Sequence, residues 1–117
     1  MTQVLDEVVE EALRELSDEE AQARLWRSPF GPEVSSLAEA KSRLWDDSGL
    51  GAAMEHGEVY NTLIDSQLRR FRDVLRRVDE NAPVEAILSS TDLATARELA
   101  NELLETLRNF GYDRADP

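Results

Sequence analysis

Cysteine is absent from this chain of 117 residues, and histidine occurs only once, as His56. The absence of cysteine excludes disulfide bonds and thiolate chemistry, and it is typical of proteins in a reducing compartment. We therefore expect a cytoplasmic protein. A single histidine also excludes the zinc motifs that need two histidine ligands.

Long apolar runs are also missing. No run approaches the roughly 20 apolar residues that a membrane-spanning helix requires. The first residues, MTQVLDEVVEE, are acidic, whereas a secretion signal begins with basic residues and then becomes apolar. No segment alternates apolar and polar residues over a useful length, so the sequence predicts neither a membrane span nor a sheet.

Acidic residues dominate the charge. The chain has 25 acidic and 13 basic residues, a net charge of −12. Such a field repels nucleic acid and anionic membranes and favours a basic protein partner. The charge is uneven: residues 1–20 carry eight acids against Arg14 alone, and residues 46–66 carry five acids and no base. Residues 67–80 reverse the sign, with five arginines against three acids.

Apolar residues recur every three or four positions along most of the chain, which is the period of an amphipathic helix. The spacing predicts a first helix over 3–16, a second over 18–27 capped by Ser17, and a third that starts at Pro32 or Ser35. We predict an all-α fold: a compact bundle of five to six helices with a long central helix near 58–79. Residues 1–117 then form one domain, of which 110–117 are a frayed tail.

Five arginines lie in the second half of the long helix: Arg69, Arg70, Arg72, Arg76 and Arg77. Acidic residues three or four positions away could neutralise them, since such positions are neighbours on a helix surface. Asp65 and Asp73 are spaced to pair with Arg69, and Glu80 is spaced to pair with Arg76. We therefore expect ion pairs within this helix, or with the acidic first helix, rather than a nucleic-acid site.

The stretch LWDDSGLGAAMEHGEVY (44–60) has the composition of a site. The simpler interpretation is a corner between helices, in which Asp47 or Ser48 caps a short helix that ends at Gly57. The alternative is a metal or ligand site, or a small enzyme, in which the weak candidate ligands are Asp46, Asp47, Glu55, His56 and Glu58. Their spacing does not match an EF-hand loop, because Ser48 and Gly49 interrupt it.

Three aromatic residues lie at or beside helix ends: Trp26, Phe30 and Trp45. Large aromatic side chains anchor many protein interfaces, although core packing is the simpler explanation for each. The first helix, apolar on one face and acidic on the other, could either cap the bundle or pair with its copy in a homodimer.

No catalytic motif, glycine-rich phosphate loop or cofactor signature occurs in the chain. The leading hypothesis is a non-enzymatic, acidic protein-interaction module without a cofactor, which binds a basic protein partner. An immunity- or antitoxin-like role fits this size and charge by analogy alone. The alternatives are the enzyme or metal-binding bundle that uses the 46–58 corner, and the homodimer.

Overall fold

The computed structural model describes residues 4–27 and 35–110, and within these ranges it is all-α, as the sequence predicts. The described residues contain seven α-helices rather than five or six: α1 (Asp6–Ser17), α2 (Glu19–Arg27), α3 (Leu37–Ser42), α4 (Leu50–His56), α5 (Thr62–Arg76), α6 (Val84–Leu88) and α7 (Thr91–Phe110). None of the helices in these ranges is long and apolar enough to cross a membrane.

The last helix, α7, lies at the centre of the bundle, because both α1 and α5 pack against it. The apolar stripes of these three helices meet in one core. Its largest fully buried side chains are Leu13, Leu16, Leu37, Leu44, Leu50, Ile64, Leu68, Phe71, Leu75, Leu93, Leu103 and Leu107. The apolar face of α1 is therefore buried within its own chain. Leu5, the residue just before α1, remains 45% exposed.

The predicted long helix over 58–79 is wrong in its limits, since α5 covers only Thr62–Arg76 and the longest helix is α7. Two side chains fix the late start. Asn61 caps α5 by accepting a hydrogen bond from the Ile64 amide at 2.8 Å. The buried carboxylate of Asp65 accepts the amides of Val59 at 2.8 Å and Tyr60 at 3.1 Å, which holds that segment out of the helix.

Two other predicted helix starts shift by one residue. Asp18, not Ser17, caps α2, because its carboxylate accepts the Ala21 amide at 3.1 Å. Ser36, not Ser35, caps α3, by accepting the Glu39 amide at 3.1 Å. The other predicted start of the third helix, Pro32, lies outside the described residues, as do residues 111–117 of the predicted tail.

α3 continues without a break into one wide turn of π-helix, Arg43–Asp47. The Ser48 amide donates to the carbonyl of Arg43, five residues earlier, at 3.1 Å. This π turn contacts α1 and α4 and buries Leu44 and Trp45. The π turn therefore links α1 to α4.

One buried carboxylate, that of Glu15 on α1, connects four segments of the chain. It accepts hydrogen bonds from the Trp26 indole at 3.0 Å, the Ser35 hydroxyl at 2.7 Å and the Arg43 guanidinium at 2.8 Å. Arg43 also donates to the Ser35 hydroxyl oxygen at 2.9 Å. A buried charge is tolerated only when it is paired and hydrogen-bonded in this way.

A second buried polar group, the side-chain amide of Gln22, joins α2 to the first and last helices, α1 and α7. Its nitrogen donates to the carbonyls of Glu15 at 3.1 Å and Leu16 at 2.9 Å, and its oxygen accepts from Arg97 on α7 at 2.7 Å. Nearby, Arg27 forms two 2.8 Å hydrogen bonds with Glu85 on α6. These hydrogen bonds lower the pKa of Glu85.

The Glu15 contacts generate the first prediction. Glu15→Ala leaves the Trp26 indole and the Ser35 hydroxyl without their buried acceptor, and we expect a loss of at least about 2 kcal/mol in the free energy of unfolding. The matched control is Glu11→Ala on the exposed face of the same helix, which we expect to change stability by no more than about 0.5 kcal/mol. Urea denaturation measures both, and equal effects would contradict the role given to Glu15.

Core packing generates the second prediction. Leu68 is 1% exposed and Leu63, on the same helix, is 51% exposed. Leu68→Ala should therefore cost about 2–5 kcal/mol through lost burial and the cavity left behind. Leu63→Ala should have little effect on the urea midpoint. A small loss at Leu68 would show that α5 does not pack on α7 through this face.

Candidate functional site

The 44–60 stretch folds as a corner, with α4 packed closely on the π turn. Gly49 enters α4 with a left-handed φ of 82°, which only glycine adopts at little cost. The buried Ser48 hydroxyl accepts the Leu50 amide at 3.1 Å and donates to the Leu44 carbonyl. The prediction that Asp47 or Ser48 caps α4 is therefore wrong, since Gly49 is the N-cap residue. The Ser48 hydroxyl nevertheless accepts the amide of the first residue of the helix.

A close backbone approach fixes this corner. A Cβ atom built on Gly51 would lie 2.8 Å from the backbone carbonyl oxygen of Trp45, closer than real side chains come. At the other end of α4, Gly57 has a φ of 136°. Gly49 thus allows the chain to enter α4, Gly51 allows α4 to pack closely on the π turn, and Gly57 allows the chain to leave α4.

The weak candidate metal ligands of this corner, Asp46, Asp47, Glu55, His56 and Glu58, all have exposed side chains. Across residues 4–27 and 35–110, no three carboxylate or imidazole side chains come together in a group that could hold a metal ion. The metal and enzyme hypotheses for this corner therefore gain no support from its geometry.

The corner acids lie beside the acidic start of α1. The Leu5 amide donates to the Ser48 carbonyl at 2.8 Å, and the Tyr60 hydroxyl donates to the Asp6 carboxylate at 3.1 Å. These two contacts join three acidic segments at one end of the bundle. The segments are the start of α1, the end of the π turn, and the residues that lead from α4 to α5. We call this surface the acidic end, and its residues are Asp6, Glu7, Asp46, Asp47, Glu55 and Glu58.

The two tryptophans predicted at an interface are largely buried, at 6% exposure for Trp26 and 8% for Trp45. Trp26 donates to Glu15, and Trp45 packs against Phe71 with ring centroids 6.3 Å apart. Both therefore have core roles in the described chain, which was the simpler explanation for each. Phe30 lies outside the described residues.

Among the described residues, none of the specific ion pairs predicted along α5 forms. Asp65 is buried and caps the preceding turn, and Glu80 pairs with Lys41 of α3 at 2.9 Å. The only ion pair within α5 is a loose one, 3.8 Å, between Asp73 and Arg76. Arg69 and Arg77 have no carboxylate partner in the part of the chain that the structure describes. Their charges are therefore left on the surface.

We call this surface the arginine face, and its residues are Arg69, Arg70, Arg72, Arg76 and Arg77. Its half-buried member, Arg72, lies over the Trp45 ring, with the guanidinium carbon 5.3 Å from the ring centroid. Such a stacked cation is held in place while its N–H groups remain able to donate.

An open groove of about 370 Å³ lies beside the arginine face, between α3, the π turn and α5. Its lining residues are Ala38, Lys41, Ser42, Trp45, Asp46, Arg72, Leu75, Arg76 and Glu80. No pattern in the sequence predicts this groove, because Lys41 and Glu80 lie far apart in the chain and Glu80 is spaced to pair with Arg76. Only the fold brings α3 next to the end of α5.

Comparisons with protein-family models, with curated proteins and with solved structures found no match to this chain.

The corner generates the third prediction. Because His56 is exposed, we expect His56→Ala to change the free energy of unfolding by no more than about 0.5 kcal/mol, and we expect Zn²⁺ not to raise the melting temperature. Gly51→Ala should cost about 1–3 kcal/mol, because the new methyl group overlaps the Trp45 carbonyl. A thermal melt of each variant, with and without Zn²⁺, provides the measurement. A zinc-dependent rise that disappears in His56→Ala would establish a metal site after all.

Proposed function

We propose that this chain is a non-enzymatic protein-interaction module that binds a basic protein partner through the acidic end. The single observation that carries the proposal is the junction of three acidic segments by the Leu5–Ser48 and Tyr60–Asp6 hydrogen bonds. Residues 46–66 contain no lysine or arginine that could neutralise this surface.

The distribution of buried and exposed carboxylates supports this proposal. The buried carboxylates, Glu15 and Asp65, are each occupied by hydrogen bonds that hold helices and turns together. The acids of the acidic end are exposed or half-exposed, where a partner can reach them. Clustered surface charge of one sign raises the association rate with a partner of opposite charge.

The backbone of the π turn packs directly on the short helix α4, which carries Glu55 of the acidic end. The carbonyl of Trp45 lies next to Gly51, and this close approach fixes α4 against the π turn. A rigid surface loses less conformational entropy on binding, which favours affinity. We therefore give Trp45 an indirect role, in place of the direct anchor role that its sequence position predicted.

An immunity- or antitoxin-like role is one biological setting for such a module. The charge of the acidic end suits such a role, because it would attract a basic target. This setting rests on analogy of size and charge. The basic character of the partner is the part of the proposal that binding to a defined peptide can test.

The fourth prediction concerns binding of a synthetic octalysine peptide, measured by isothermal titration calorimetry at low and high salt. The triple variant Asp46→Asn, Asp47→Asn, Glu58→Gln should weaken binding at least about three-fold, because each exposed charge pair contributes some tenths of a kcal/mol. Added salt should weaken binding by the unaltered chain, because it screens exposed charges.

The matched control removes the same number of charges from a different helix, by Glu98→Gln, Glu102→Gln and Glu105→Gln on the exposed side of α7. We expect this control to bind octalysine within about two-fold of the unaltered chain, a difference of roughly 0.4 kcal/mol. Circular dichroism verifies that both variants fold. Equal weakening in the two variants would mean that net charge alone, and no particular surface, attracts the peptide.

A further inference from the structure

The arginine face is a positive surface on an acidic protein. Over residues 69–77 the only acid is Asp73, and its single ion pair, with Arg76, is 3.8 Å long. Arg69, Arg70 and Arg77 are exposed and have no carboxylate partner among the described residues. Repulsion between like charges one helical turn apart is destabilising, so this clustering carries a small cost to the isolated chain.

Arg72 is the most fixed member of this face. Its guanidinium lies 5.3 Å from the centre of the Trp45 ring, and that ring also packs against Phe71. No carboxylate in the described ranges pairs with Arg72. Because a guanidinium carries its donors in a planar fork, the stacked side chain is arranged to receive a planar anion such as a carboxylate.

The groove places two further cationic side chains near Arg72. Arg76 follows one turn later, a rise of roughly 6 Å along the helix, and the ammonium of Lys41 is held at the opposite wall by Glu80 at 2.9 Å. Leu75 and Trp45 also line the groove. A groove of about 370 Å³ is at the small end of ligand sites, and it can accommodate one or two side chains of a bound segment.

The charges at the rim of the groove distinguish between anions. Asp46 and Glu80 also line it, so a doubly charged phosphate would meet more repulsion than a singly charged carboxylate. A nucleic acid would in addition bring a long polyanion against a chain of net charge −12. A short peptide can place a few carboxylates at the arginine face while the rest of it stays clear of the acidic surfaces.

We propose that the groove and the arginine face bind an acidic peptide segment of a protein partner, and that Arg72 and Arg76 receive its carboxylates. This inference concerns the groove and the arginine face, which share only Asp46 with the acidic end, and it does not depend on the proposed function. The same module would therefore contact acidic and basic segments at two adjoining surfaces.

The fifth prediction tests this surface with a fluorescein-labelled hexaglutamate peptide, whose binding to the full chain is followed by fluorescence anisotropy at low salt. Arg76→Gln removes an exposed donor without touching the core, and we expect it to weaken binding about five-fold or more. Arg72→Lys keeps the charge but loses the planar fork, so it should also weaken binding. The control is Arg108→Gln, an exposed arginine on α7, which should stay within about two-fold.

Intrinsic tryptophan fluorescence provides a second readout, because bound peptide should change the environment of Trp45. Inorganic phosphate and a single-stranded hexanucleotide serve as competitors. The proposal is overturned if hexaglutamate does not bind, if Arg108→Gln weakens binding as much as Arg76→Gln, or if the hexanucleotide binds more tightly than hexaglutamate. Failure here leaves the octalysine result unaffected, because the two tests alter different residues and use different peptides.

Discussion

The fold depends most on the buried carboxylate of Glu15. Desolvating a charge is costly, and the cost is offset here only because an indole, a hydroxyl and a guanidinium all donate to it. These three donors come from α2, from the residue that precedes α3, and from the π turn. The carboxylate therefore requires one relative placement of these segments, whereas apolar packing alone would accept several. Gln22 extends the same constraint to α7 through Arg97.

Helical periodicity was enough to predict the fold class, because the apolar stripes on α1, α5 and α7 are the faces that form the core. The limits of the helices were harder to predict. Asp65 has the spacing of an ion-pair partner for Arg69, yet it is the cap that holds Glu58–Asn61 out of α5. A carboxylate can pair along a helix or accept backbone amides before it, and the sequence alone does not decide between these outcomes.

The candidate surfaces show the same division between local and long-range information. The corner at 44–60 was predictable, because glycine and serine at helix ends have local causes. The groove was not, since it depends on contact between Lys41 and Glu80, which are far apart in the sequence. The tryptophans were ambiguous because their sequence position at helix ends is compatible with both burial and exposure. As a result of these long-range contacts, the chain presents charges of opposite sign on two surfaces that adjoin at Asp46.

The π turn has a consequence for how this protein can tolerate insertions and deletions. A turn of π-helix is equivalent to an α-helix with one residue added, and each residue of an α-helix rotates the next by about 100°. Loss of one residue from Arg43–Asp47 would restore regular α-helix and turn every later side chain of the segment by that angle. Trp45 would then leave its place beside Phe71, and the close contact with Gly51 would be lost. In descendants of this chain, the length of this segment should therefore vary less than the identity of its exposed residues.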